Sequence, residues 1–523
     1  MKDLRWLAGV VILALALDVL GIGWGLPHPS ADWAIDGLTP LAPLACAWRV
    51  VHGEGWWSKY PPFHLLVLAA VQAPYAAWLK LSGQLHTIAQ AYPYGLAHPL
   101  AALGTLQLLA RLVSAAMGAG AALLVALTAR ELFGRRAAVP AGVAFLASPV
   151  TVYYGHTTNL DVPYTFWVSL AFWLAVRIAR GDATLGTHVL LGAAAALAIA
   201  TKDQAYACFA LVPIPLLWRR WRAGRLVDRR PIAALIAFGA VYGVASLLLI
   251  DPASYVAHAR HVTGPGSIPY RAFPRSAAGV LALVLYAGYL TALALGWPMA
   301  IACVVGLGLA AVRPSAGTEV LLVGALSYLL TFILPILYVV PRFVLPLVLV
   351  AAPFAGLSLS RLWGDGRSHA LVRRAGVVAL LLVSIGYGAT MDARLLTDAR
   401  YRAEAWLRKH PPRDAVGTDA DPSYLPRLDP AWRVVRVAVT PAGIDFGGAE
   451  PPELIIMSSA RYRVYSRPRR RAQRRVFVAL LRGQLGYERV AHFQSARVPG
   501  PRLVEGVSPR IVVLRRRAAA GPA

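Results

Sequence analysis

The sequence predicts an α-helical polytopic membrane protein that carries a soluble α/β domain at its carboxyl end. Hydrophobic residues fill 58% of 523 positions and the mean hydropathy is +0.56, too apolar for an ordinary soluble protein. Many apolar runs approach the roughly 20 residues that a helix needs to cross a bilayer. After Asp392 these runs stop, and shorter periods of helix and strand type replace them.

The formal charge of +27 reads first as topology. About half of the Lys and Arg follow Asp392, and much of the rest sits in short links between apolar runs, as the positive-inside rule expects. No recognition motif accompanies the arginines, so nucleic-acid binding explains them poorly. Cys46, Cys208 and Cys303 are widely spaced and support neither a disulfide framework nor a cysteine metal site. Met1 to Arg5 and the run behind them lack a small-residue cleavage site and read as an uncleaved first span.

Trp6–Gly25 is that span, with Lys2 and Arg5 holding its amino end inside and sending the next stretch out. Thr39–Val51 is interrupted by Pro40, Pro43 and Arg49, and Phe63–Leu81 is flanked by Lys59 and Lys80. Both read as juxtamembrane helices in one large outer loop, residues 26–105. Leu106–Ala129 returns to the inside at RELFGRR. Ala137–Val152 then leads out to YYGHTTNLDVP, Pro163–Val176 comes in, Thr187–Ala200 goes out to TKDQ, and Ala205–Leu217 comes in to WRRWRAGRLVDRR. Pro231–Ile250 leads out. Ser276–Leu295 reads as partly interfacial and Gly296–Val312 as a crossing; Val320–Val340, Phe343–Leu362 and Gly376–Thr390 complete about eleven spans. The expected division is a membrane domain, 1–391, and a soluble domain, 392–523, placed by parity on the outer side of the plasma (inner) membrane. In the latter, RAEAWLRKHPP, AVGTDA, WRVVRVAV, PELIIMSS and RVFVALLRGQLGYERVAHF alternate helix-like and strand-like periods.

Unexplained polar residues gather on the expected outer side: Asp32, Asp36, Glu54, Lys59, His64, His156, Asn159, Asp161, Lys202, Asp203, Asp251, His258, Arg260, His261, Arg271 and Arg342. Each has an ordinary structural explanation. Asp36 would start a juxtamembrane helix, and Asp161, just before Val162 and Pro163, would cap the fourth span. Lys59 would snorkel beside Trp56 and Trp57, Lys202 and Asp203 would neutralise each other, and Arg342 would anchor a span end. His156 would be a satisfied loop histidine; the His258–His261 spacing hints only weakly at metal. Taken together, a proton-accepting carboxylate near cations suits transfer from a lipid phosphate to a hydroxyl or amine. Aromatic and proline-rich surroundings suit a polyprenyl tail.

The order of these pieces resembles the GT-C membrane glycosyltransferases: an Asp in the first outer loop, Lys59 before Pro61 and Pro62, a span ending in R-E-L-F-G, then Asn159-x-Asp161-x-Pro163, then Thr201-Lys202. Within them it looks most like the group of dolichyl-phosphate-mannose protein mannosyltransferases and bacterial lipid A aminoarabinose transferases. The resemblance covers most of Trp6 to Leu362 and implies a polyprenyl-phosphate-linked sugar as donor, with inverting transfer to a protein, lipid or glycan acceptor. It matches the family's catalytic aspartate to Asp36, with Gly37 where a second acid would stand and Asp32 as competitor. It matches the phosphate-contacting lysine to Lys59, with Tyr60 inserted and Ser58 where some aminoarabinose transferases have an acid. Asp161 matches the second-loop acid, which would orient the acceptor or a cation; Lys202 matches the later lysine, and Arg342, in R-F-V-L-P, a further donor contact. No metal ligand set is assigned, although a divalent ion stays open. A transporter or flippase of a lipid-linked substrate is the competing class; it would need charges along the spans or an inverted repeat, and neither is evident.

Overall fold

The computed structural model describes residues 2–27, 32–56, 59–182, 184–222, 224, 228–264, 270–364, 369–465, 470–504 and 506–517. It confirms a polytopic helical membrane fold that carries a carboxyl-terminal sheet. The chain forms two compact units. One holds Met1–Ile22, Pro40–Leu79 and Leu108–Asp392; the other holds Gly23–Thr39, Lys80–Gln107 and Ala393–Ala523.

The helices begin with α1 (Lys2–Val19), α2 (Ala42–His52), α3 (Phe63–Leu81), α4 (Pro99–Phe133), α5 (Arg135–Leu146), α6 (Pro149–Gly155), α7 (Asp161–Ala179) and α8 (Leu185–Thr201). Among the described residues, seven helices are long and apolar enough to cross a membrane, eight if the bent pair α5–α6 is one span. Three segments differ from the sequence expectation. Helix α3 meets the length and hydropathy of a span although lysines flank it. So does Ala277–Leu295, which ends at Gly296 (φ 77°) before a separate helix, Trp297–Val312. The run expected as one span over 137–152 bends by 68° between α5 and α6. Pro149 causes this: its ring disfavours helical backbone at Ser148, which is extended at φ −69°, ψ 123°.

The membrane unit packs through small residues, which let backbones approach where apolar side chains gain little over lipid. In α8, a Cβ on Gly192 would lie 2.0 Å from the carbonyl oxygen of Ala234 on the helix Arg229–Ala245. That contact explains the glycine in LGAAAALAIA.

The second unit is built on a five-stranded sheet of β1 (Ala415–Thr418), β2 (Arg433–Arg436), β5 (Leu454–Ser458), β6 (Tyr487–Phe493) and β7 (Ile511–Arg516), in the order β2-β1-β5-β7-β6; β3 (Ala438–Val439) and β4 (Ile444–Asp445) pair separately. Strands β2, β1 and β5 run parallel, whereas β7 pairs antiparallel with β5 and β6. Alternate residues serve opposite faces. Ile455, Met457, Val512 and Leu514 cluster with Phe477 and Leu480 of the helix Arg471–Leu481. Leu454, Ile456, Ile511 and Val513 cluster with Ala403 and Leu407 of the helix Ala399–Lys409. Burial on both faces explains the unbroken apolar run LIIM in β5.

Candidate active site

In the membrane unit three of the predicted residues come together around an aromatic ring. Helix α8 ends at Lys202, whose backbone is extended (φ −154°, ψ 121°) before a short turn at Asp203–Ala205. Extended backbone throws successive side chains to opposite sides, so Lys202 and Asp203 do not neutralise each other. The Lys202 ammonium donates to Asp161 Oδ1 at 2.7 Å, with both side chains buried. Asp161 is the first residue of α7, and the cap position belongs to Leu160, which offers no side-chain cap. The carboxylate is thus directed to Lys202.

Lys202 Nζ lies 5.8 Å from the centre of the Tyr60 ring and 5.6 Å from that of Tyr164; Lys59 Nζ lies 5.5 Å from the same Tyr60 ring. The inserted tyrosine therefore gathers both lysines, its electron-rich face favouring the cations. Gln204 donates to the hydroxyls of Tyr164 (2.6 Å) and Tyr328 (3.4 Å), fixing the rings behind Lys202. Sequence reading missed Tyr164, Gln204 and Tyr328, which lie within or beside apolar runs; Tyr60 was visible only as a departure from Lys-Pro-Pro.

The loop before Lys59 is tied down by helix Pro252–Thr263. Asp203 contacts His258 Nε2 at 3.1 Å through both carboxylate oxygens, and the His258 ring lies 5.3 Å from that of Trp56. Gly55 (φ +76°) passes so close that a Cβ would lie 2.8 Å from Ser254 Oγ. Asp251 caps this helix by accepting from Ser254 N at 3.0 Å. Among the described residues, no group of three or more His, Cys, Asp or Glu is placed to hold a metal; the described residues therefore do not complete a ligand set at His258 and His261. His156 is buried, its ring nitrogens 2.7 and 2.6 Å from the carbonyls of Val152 and Leu20. Arg342 stands on the turn Pro341–Val344, its guanidinium 5.5 Å from the Phe343 ring centre. Ser58 and Trp57 lie outside the described residues, as do residues 28–31 of the first loop.

The two acids of the first loop belong to the carboxyl-terminal unit, and they differ. Asp32 is buried; Oδ1 accepts from Ala34 N (2.9 Å) and Oδ2 from Gln107 Nε2 (2.5 Å), while Gln107 also donates to the Leu38 carbonyl (3.0 Å). Asp36 is exposed on a turn closed by Gly37 N to the Ala34 carbonyl (3.2 Å), with φ +60°, a left-handed conformation uncommon outside glycine. It starts no helix, since the next one begins at Ala42. In the same unit, Trp24 Nε1 donates to Asp398 Oδ2 (3.0 Å), Gly25 N donates to the Tyr401 hydroxyl (3.2 Å), and the Arg400 guanidinium lies 4.1 Å from the Trp33 ring centre. Burial raises the Tyr401 hydroxyl above its ordinary pKa, so it stays protonated.

The fold is of the GT-C type. Residues 86–250 match the family model described as dolichyl-phosphate-mannose-protein mannosyltransferase. No curated protein sequence matches the chain. Among solved structures, ArnT from Cupriavidus metallidurans bound to undecaprenyl phosphate aligns at a TM-score of 0.51 with 16% identity, over 99% of each chain. The oligosaccharyltransferase AglB from Archaeoglobus fulgidus, in complex with an inhibitory peptide and a dolichol phosphate, aligns at 0.48 with 16% identity, over 80% of this chain and 62% of that one.

Proposed function

We propose that this protein is an inverting glycosyltransferase that moves a sugar from a polyprenyl-phosphate donor to an acceptor hydroxyl or amine on the outer face of the membrane. The observation that carries this reading is the pair of ammonium groups, Lys59 and Lys202, on one Tyr60 ring, with Asp161 fixing the second. Two cations beside a greasy, aromatic surface suit a lipid phosphate. The match of residues 86–250 to a mannosyltransferase family and the fold shared with ArnT, which binds undecaprenyl phosphate, support the same donor class.

In this reading Asp36 takes the proton of the acceptor as its oxygen or nitrogen attacks the anomeric carbon. The bond from that carbon to the phosphate oxygen breaks, and the polyprenyl phosphate leaves with the electron pair. Lys59 and Lys202 neutralise the charge that develops on it, with Arg342 as a further donor contact. Asp161 holds Lys202. The choice of Asp36 over Asp32 rests on exposure, because both Asp32 oxygens already accept hydrogen bonds in a buried setting. A general base contributes about 10² to 10⁴-fold. The test is transfer from a panel of polyprenyl-phosphate sugars to membrane extract by purified wild type, Asp36→Asn and Asp32→Asn. Asparagine tolerates left-handed backbone, so Asp36→Asn is expected to fold and to lose transfer by at least 10²-fold. Wild-type transfer by that variant would remove Asp36 as the base.

A further inference from the structure

The helix Arg471–Leu481 buries Phe477 and Leu480 in the sheet core and turns Arg471, Arg474 and Arg475 outward. Spacings of three and four residues put these on one helix face, and Arg482 recurs after three turns. Together with Val478, Ala479 and Gln484 they line a cleft of about 620 Å³. Like charges three and four apart disfavour a helix unless something compensates them. Elsewhere in this unit arginines have acidic partners: Arg433 with Asp414, Arg427 with Glu404, Arg515 with Glu453. Among the described residues, no carboxylate is paired with Arg471, Arg474, Arg475 or Arg482.

We infer that this cleft binds the phosphate groups of anionic phospholipid headgroups. Guanidinium forks match phosphate oxygens two at a time, and several forks opening on one cleft offer more than a diffuse positive surface. The partner is argued from charge complementarity and from attachment. The same chain carries the membrane-spanning helices, so headgroups are held at high effective concentration near this unit, whereas a soluble phosphate must compete from bulk. Val478 and Ala479 add apolar lining that glycerol carbons can cover. This surface is independent of the catalytic reading above.

The test uses the full chain in nanodiscs of neutral phosphatidylcholine or of phosphatidylcholine with about one third phosphatidylglycerol, followed by amide hydrogen exchange of the 471–482 peptide. Each basic residue near an anionic surface contributes enough for roughly fivefold tighter association, so exchange in the anionic discs is expected to slow at least fivefold. Half-molar salt and the exposed double substitution R474E/R475E should abolish the slowing, and R474K/R475K, which keeps the charge but removes the guanidinium forks, should lose a large part of it. Melting temperatures of the variants verify that they fold. Equal exchange in both lipids, or slowing that salt and R474E/R475E leave intact, would overturn the proposal. So would equal protection by 10 mM inorganic phosphate in neutral discs, which would make the ligand a soluble anion.

Discussion

Arg400 places its guanidinium 4.1 Å from the centre of the Trp33 ring while bonding Asp398 in two places, at 3.0 and 2.7 Å. Both Arg400 and Trp33 are essentially inaccessible to solvent. The guanidinium also donates to the carbonyls of Ser423 (2.5 Å) and Gly506 (2.9 Å), so its charge is paired and four of its five N–H groups are used. Residues 23–39, which carry both acids, thus belong to the carboxyl-terminal unit.

On the proposal that Asp36 is the base, Trp33→Leu should damage the reaction through the loop that carries Asp36. Loss of the ring removes a desolvated cation–π contact, worth about 2 kcal/mol, and leaves a void beside Arg400. The expected result is at least a tenfold fall in kcat with the donor KM nearly unchanged, because Trp33 packs on Arg400 and Tyr401 rather than on the lysines. Trp33→Phe, which keeps a ring over the guanidinium, should recover most of the rate. A rise in donor KM with kcat intact would contradict this division of labour.

The Asp161–Lys202 pair gives a separate prediction for stability. A buried ion pair loses about 3 to 5 kcal/mol when one partner is removed, since the other charge is left uncompensated. Asp161→Asn and Lys202→Met should each lower the melting temperature strongly. The double substitution should recover much of that loss while transfer stays abolished. If the single losses simply add in the double variant, the two side chains are not coupled.

Tyr60 is expected to control donor affinity. Contacts of a cation with a partly exposed aromatic face contribute about 0.5 to 1 kcal/mol, and Tyr60 makes two, to Lys59 and Lys202. Tyr60→Ala should raise the donor KM by about 5- to 30-fold; Tyr60→Phe, which keeps the ring, should stay within about threefold of wild type. Comparable losses in both variants would assign the effect to the hydroxyl.

Much of this architecture is legible in the sequence, for physical reasons that also explain the exceptions. In the carboxyl-terminal unit, RAEAWLRKHPP becomes the helix Ala399–Lys409 and PELIIMSS becomes β5, because local period and burial agree there. Asp161 and Lys202 were visible as polar residues at run ends, but their pairing depends on the extended backbone at Lys202, which no periodicity encodes. The bend at Ser148 escapes a hydropathy reading because hydropathy stays high through Pro149, whereas the backbone restriction is a property of that one dipeptide. The part of Tyr60 is a tertiary fact: a single aromatic residue between lysine and proline carries no local signal of the second lysine it meets.

Asp419, just beyond β1, supplies a pH dependence. Burial pushes its carboxyl from 3.8 up to about 7, against the pull of the Arg461 guanidinium. An acid that holds its proton more tightly folded than unfolded stabilises the fold when protonated. That contribution is complete below the unfolded value near 3.8 and is lost as pH rises towards 7. The change over that window is on the order of 4 kcal/mol. Asp419→Asn stays uncharged throughout and should remove the dependence. Melting temperatures of the full chain in detergent, taken from pH 4.5 to 8, should therefore show the variant gaining on wild type as pH rises, with the gap levelling above pH 7. Curves that run parallel across the window would show that Asp419 is ionised in the folded protein throughout, with Arg461 outweighing its burial.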